Sequence, residues 1–191
     1  GLATDGEPVY PGTCRNGVAA GRIARALRVR VGSEVIAFED RIQGTIRQDL
    51  AREVGDFVAR RADGPYAYQL AVVVDDAEQG ITDVVRGADL LVSTPRQIHL
   101  QHLLGVATPR YAHLPAAVNT RGEKLSKQTR ARPLDPRTAA PLLAAALEFL
   151  GQRPPVSLEN ATPAEVWSWA RAHWNLSQVP HAHSRPAPAL A

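Results

Sequence analysis

The sequence predicts an α/β fold, and three observations carry that prediction. Leu27, Val29 and Val31 alternate with Arg28 and Arg30, the signature of a half-buried strand. Leu70, Ala71, Val72, Val73 and Val74 form an unbroken apolar run of strand length, as expected for a parallel strand covered on both faces. Thr94, Pro95 and Gln97 open a helix, which is followed by an apolar strand segment at 109–118 and then a basic loop. Strand, helix, strand and loop in that order look like the second half of a nucleotide-binding α/β domain.

The chain has 191 residues, 45% of them apolar, enough to bury a core and form one domain with an appendage. No apolar run approaches the roughly 20 residues of a membrane span, so no membrane role is expected. The single cysteine, Cys14, excludes an internal disulfide and fits a reducing cytosol. The chain starts at Gly1 and contains no methionine, so the expectation is a C-terminal piece of a longer cytoplasmic protein, acting as a monomer.

Each element has its own signal. Residues 1–17 are rich in Gly, Pro, Asp and Thr and read as loop. Short strands are expected at 26–31, 35–40, 43–46 and 56–61, the last closed by a turn at 62–65. Asp75 and Asp76 end the 70–74 run. At the carboxyl end of a parallel strand they would lie near chemistry; a turn with a helix cap is the alternative. Thr94 can cap, Pro95 suits the first helical position, Gln97 completes a capping box, and Gly105 stops the helix. Asp135 and Pro136 start another helix, whose Leu142, Leu143, Leu147, Phe149 and Leu150 make an apolar face ending at Gly151. Thr162 and Glu165 form a second capping box. Trp167, Ala170, Arg171 and Trp174 follow at helical spacing, a stripe read as packing on the preceding helix rather than as base stacking. Residues 177–191, proline-rich and poor in apolar groups, read as a disordered tail, whose His181 and His183 could at most hold a metal weakly.

The chemistry concentrates in the loop GEKLSKQ at 122–128. Lys124, Ser126 and Lys127 stand on a loop opened by Gly122, and six basic side chains lie between Arg121 and Arg137 against Glu123 and Asp135. Such a cluster favours phosphate; a solvated loop is the alternative from charge alone. A mobile lysine that reaches a triphosphate only in the transition state lowers the barrier, whereas one bound equally well beforehand does not.

The loop resembles the second signature of class I aminoacyl-tRNA synthetases. With 56–61, 63–71, Val74 to Asp76, 80–90 and 94–97, the order of motifs is similar to the glutamyl-tRNA synthetase family over residues 10–150. The resemblance implies the second half of a Rossmann-type catalytic domain at 55–132, carrying the lysine loop. It implies a small β-rich inserted subdomain and zinc-region remnant at 1–54, and a short helical appendage at 133–176. Lys127 takes the catalytic place, and Lys124, Ser126 and Lys127 would meet ATP with its Mg2+. Tyr68 and Arg86 would contact L-glutamate, consistent with the bidentate pairing of a guanidinium with a carboxylate. Without the resemblance, Arg86 reads as a surface ion-pair partner of Asp83 or Asp89, and Tyr68 as core packing.

Only 64 residues follow Lys127, leaving no room for a long helical anticodon-binding region or a β-barrel module. That matches the short branch of the family that attaches glutamate to the queuosine base of tRNA(Asp). In that branch a Tyr-x-x-x-Cys pair follows a Cys-x-Cys pair, and the four residues hold Zn2+. Tyr10 and Cys14 match the later pair, with the other ligands expected upstream of residue 1. The alternatives are a truncated glutamyl-tRNA synthetase charging tRNA(Glu), or a non-catalytic RNA-binding module. Lacking a first Rossmann half, residues 1–191 alone are expected to be inactive.

Overall fold

The computed structural model describes residues 9–126, 129, 131 and 133–188. In chain order it contains β1 (Leu27–Val29), β2 (Val35–Asp40), β3 (Gly44–Asp49), α1 (Leu50–Glu53), β4 (Phe57–Arg60), α2 (Tyr68–Glu78) and β5 (Asp83–Gly87). There follow α3 (Thr94–Leu104), β6 (Arg110–Leu114), β7 (Ala116–Val118), α4 (Ala139–Phe149), α5 (Pro163–His173) and β8 (Ser184–Pro186). The mixture of sheets and helices agrees with the α/β expectation. The chain divides into two compact units, residues 1–84 with 90–111, and residues 85–89 with 112–191. Among the described residues no helix is long and apolar enough to cross a membrane.

In the first unit β2 and β3 form an antiparallel hairpin in register from Val35↔Asp49 to Asp40↔Gly44. Its turn is built by the buried Asp40, whose carboxylate accepts from the backbone N–H of Ile42 at 3.0 Å and of Gln43 at 2.8 Å. The four-stranded sheet runs β3-β2-β6-β5, with β6 parallel to β2 at Asp40↔Tyr111. β1 and β4 make a separate antiparallel pair. Val31, Ile36, Leu50, Val54, Phe57, Val73, Ile98, Leu100 and Tyr111 form the core. All four strands expected before residue 62 are present.

One element differs in kind. Residues 70–74 lie inside α2, not in a parallel strand. Val73 is buried and Val74 exposed, the sidedness of a helix rather than of a strand covered on both faces. Asp75 and Asp76 therefore stand in the last turns of α2, not at a strand's carboxyl end. The capping box expected at Thr94 and Gln97 is also absent. A 3-10 turn at Ala88–Ser93 feeds directly into α3, so Thr94 already lies within the helix. Its hydroxyl donates to Leu90 O at 3.3 Å, while Gln97 Nε2 donates to Gln69 Oε1 of α2 at 2.7 Å. Gly105 does end α3, at φ 68°.

In the second unit α4 and α5 pack through Ala140, Leu147, Leu158, Val166 and Ala170, with Leu143 and Trp169 against them. The capping box of α5 is complete: Thr162 accepts from Glu165 N, and Glu165 accepts from Thr162 N at 2.7 Å. The buried face of α5 is Val166, Trp169 and Ala170, so the expected packing stripe is rotated. Trp167 and Trp174 are 53% and 43% exposed. Residues 177–188, expected to be disordered, instead include β8, which pairs parallel with β7 from Ala116↔Ser184 to Val118↔Pro186. Val179, in the same segment, is 1% exposed.

Candidate functional site

The lysine loop grows out of β7. Asn119 shapes its turn, accepting at Oδ1 from the backbone N–H of Arg121 at 2.9 Å and of Glu123 at 3.0 Å. Gly122 sits at φ 79°, a conformation that costs a residue with a side chain. The chain then doubles back: Lys124 bridges to Val118, and Leu125 N donates to Ala117 O at 2.9 Å. Ser126 is tied to Thr129 by the bond from its own N–H to Thr129 Oγ1 at 2.9 Å. Lys124 and Ser126 thus share one loop; Lys127, expected to be catalytic, lies outside the described residues.

Each described basic side chain of 121–137 has a carboxylate partner: Arg121 with Glu123 at 2.9 Å, Lys124 with Asp89 at 2.5 Å, Arg137 with Asp135 at 2.8 Å. The Arg137 guanidinium holds the Asp135 carboxyl below its ordinary range. All three pairs are exposed. Exposed pairs of this kind are weak because water screens them, so an incoming polyphosphate can displace the acid.

Arg86, on β5, donates from Nε to Nε2 of His113, on β6, at 3.0 Å. His113 is fully buried and Arg86 partly so. The two acids that the sequence places beside Arg86, Asp83 and Asp89, are held by other cations. Asp83 takes two bonds from Arg110, at 2.8 and 2.6 Å, and lies 3.6 Å from Arg41; Asp89 takes Lys124. The Arg110 bonds, then the Thr82 hydroxyl, hold the Asp83 carboxyl below its ordinary range. Gly87 lets Asp89 adopt its pose, since a Cβ there would meet Asp89 Oδ1 at 2.3 Å.

In the first unit Tyr68 opens α2 with 51% of its surface exposed, so it is not a core residue. Tyr10 and Cys14 are brought together: Cys14 N donates to the Tyr10 hydroxyl at 2.7 Å, and the Arg28 guanidinium lies 4.0 Å over the Tyr10 ring. Cys14 is a free, exposed thiol. A structural zinc closes with four ligands. Tyr10 and Cys14 offer two, and the described residues contain no cluster of three or more His, Cys, Asp or Glu. The residues present therefore do not make a complete zinc site.

Sequence reasoning gave no role to His113, Thr129 or the pairing of Asp89 with Lys124. A signal existed for the first: one imidazole within the apolar segment 111–118. The other two depend on how the chain folds back after Asn119.

Residues 13–135 match the family model of tRNA synthetases class I (E and Q), catalytic domain. The chain is 62% identical over 187 residues to a glutamyl-Q tRNA(Asp) synthetase of Aromatoleum aromaticum, covering 98% of this chain and 59% of that protein. It is 59% identical to the protein of the same name from Thiobacillus denitrificans, covering 96% and 62%. The chain thus spans about six-tenths of the length of these relatives. In fold it is similar to a glutamate-tRNA synthetase of Elizabethkingia anophelis, with a TM-score of 0.63 at 24% identity, over 85% of this chain and 37% of that one.

Proposed function

This chain belongs to the class I tRNA synthetases (E and Q), and from that premise we propose that its protein activates L-glutamate with ATP and transfers it to queuosine in tRNA(Asp). The observation that carries the reading is the identity of 62% and 59% to relatives named for that tRNA modification.

The first step joins the glutamate carboxylate oxygen to the α-phosphorus of ATP and breaks the bond to pyrophosphate. Charge develops on the leaving phosphates, and Lys124, Ser126 and Lys127 are the groups assigned to meet it. Mg2+ enters with the ATP phosphates, as it commonly does in phosphate sites. Lys124 would exchange Asp89 for phosphate, an exchange favoured by the weakness of its exposed pair. Arg86 takes a glutamate carboxylate through its fork, and the exposed phenol of Tyr68 orients the amino acid. In the second step a hydroxyl of the queuosine cyclopentenediol attacks the glutamyl carbonyl. AMP leaves with the bonding electrons, and the hydroxyl proton passes to solvent or to AMP. No step is routed through zinc. A tRNA substrate implies a cytoplasmic protein, and we take it to act as a monomer.

The test follows labelled glutamate in a protein of the relatives' full length. The substrates are tRNA(Asp) with queuosine, tRNA(Asp) without it, and tRNA(Glu). Label only on the queuosine-containing tRNA is expected. Label on tRNA(Glu) would make the protein a conventional glutamyl-tRNA synthetase, and label on none would leave a non-catalytic RNA-binding module.

A further inference from the structure

We propose that His113 is a positioning residue for Arg86, fixing its guanidinium so that its terminal fork meets a glutamate carboxylate in one orientation. The inference rests on the assignment of Arg86 to glutamate.

Arginine Nε carries a proton and can only donate, so the nitrogen facing it at 3.0 Å must accept. The His113 proton is thereby assigned to Nδ1, and the ring is held neutral opposite a permanently charged group. His113 is itself immobile, with 0% of its surface exposed on a strand whose neighbours Tyr111 and Ala112 are also buried. Arginine is the reverse, a long side chain with much rotamer freedom to lose. Fixing Nε fixes the plane of the whole guanidinium, because its five N–H groups lie in one rigid sheet. The outer edge formed by the two Nη groups is the geometry that pairs bidentately with a carboxylate. An anchored fork meets its ligand with less entropy left to lose, which appears as ground-state affinity. Both residues belong to the second unit and sit on strands, which hold a side chain more precisely than loops do.

The test compares two amides of unequal reach, assayed by glutamate-dependent ATP–pyrophosphate exchange in the full-length protein. In His113→Gln the side-chain oxygen can stand near the original Nε2 and still accept from Arg86. In His113→Asn it stops near Nδ1 and cannot. The expected result is a glutamate KM raised about tenfold or more in His113→Asn, from loss of a hydrogen bond to a charged group. The ATP KM and kcat should stay within about twofold, and His113→Gln should fall within about threefold of the parent. Equal damage from both amides, or an ATP KM rising in step with that of glutamate, would reduce His113 to a packing residue and overturn the proposal. Arg86→Ala separates the two layers. If it leaves the glutamate KM unchanged, the assignment of Arg86 fails and the proposal with it. If it raises that KM while Asn and Gln behave alike, only the role of His113 fails.

Discussion

Asp83 shows how single side chains set local electrostatics around β5. Its carboxyl is held below 3.8 first by the Arg110 bonds, then by the Thr82 hydroxyl, with Arg41 adding attraction. A carboxyl depressed on folding stabilises the protein above its unfolded value, and that contribution is lost as pH falls through the folded one. Arg110→Gln should therefore return Asp83 toward 3.8 and soften the acid-side loss of stability below that pH. A carboxyl-carbon NMR titration of parent and variant reads this directly, and an unmoved Asp83 midpoint would refute it. Lys124 gives a second prediction. In the full-length protein Lys124→Gln removes the charge assigned to the leaving phosphates, so pyrophosphate exchange should fall about tenfold or more while glutamate KM holds. Residue type was legible in both cases, but partnership was not. Arg86, Asp83 and Asp89 lie close in sequence, and sequence offered them to one another. The fold instead gave Arg110 to Asp83, Lys124 to Asp89 and His113 to Arg86, each at least 27 positions distant.

The elements show why the same motif succeeds in one place and fails in another. Thr162 and Thr94 are both followed by proline and, three positions on, by Glu or Gln. Thr162 enters α5 from extended backbone, φ −76° and ψ 154°, the conformation a cap requires. Ser93 before Thr94 is already helical, at φ −86° and ψ −24°, so the threonine arrives too late to cap. Thr162→Ala should cost about 1 kcal/mol in a denaturant melt, whereas the side chain of Thr94 has no cap to lose. The α2 segment failed for a different reason. Three consecutive valines favour a strand locally, but the segment runs eleven residues, Tyr68–Glu78, and Gly80 at φ 66° follows its end. Length and the following glycine were the better guides. Composition misjudged residues 177–188 because strand pairing needs only backbone: Ala116 N donates to His183 O at 2.9 Å and Ala187 N to Val118 O at 2.8 Å. Gly151 tests that ordered return. It sits at φ 77°, and a Cβ there would lie 2.3 Å from Gln178 O. Gly151→Ala should destabilise by about 2 kcal/mol or more, through both the left-handed backbone and the clash. A loss under half of that would mean the segment is not held against Gly151.

For the molecule as a whole, the proposed function separates what binds tRNA from what selects the reacting base. Phosphate contacts dominate nucleic-acid affinity and carry no sequence information, whereas base edges specify. The chain's net charge is only +3, and Arg121, Lys124 and Arg137 are each paired with an acid. Where these three side chains meet a polyanion they exchange weak internal pairs for phosphate, and added salt competes with that exchange. Affinity for tRNA(Asp) should fall with salt on a double-logarithmic plot, each neutralised phosphate contributing about −0.7 to −0.9 to the slope. Queuosine changes one base and no phosphate, so tRNA(Asp) with and without it should give the same slope. Their dissociation constants should differ by less than about tenfold, comparable to what a single base contact carries. Glutamate transfer should nonetheless occur on the modified tRNA alone, because only that base supplies the cyclopentenediol hydroxyl. Filter binding across a salt series, run beside the labelling assay, measures both quantities on the same samples. Equal slopes with all-or-none transfer would show that selection resides in the chemical step. A hundredfold gap in affinity would instead move selection to binding and require a pocket for the modified base, read before any glutamate is transferred.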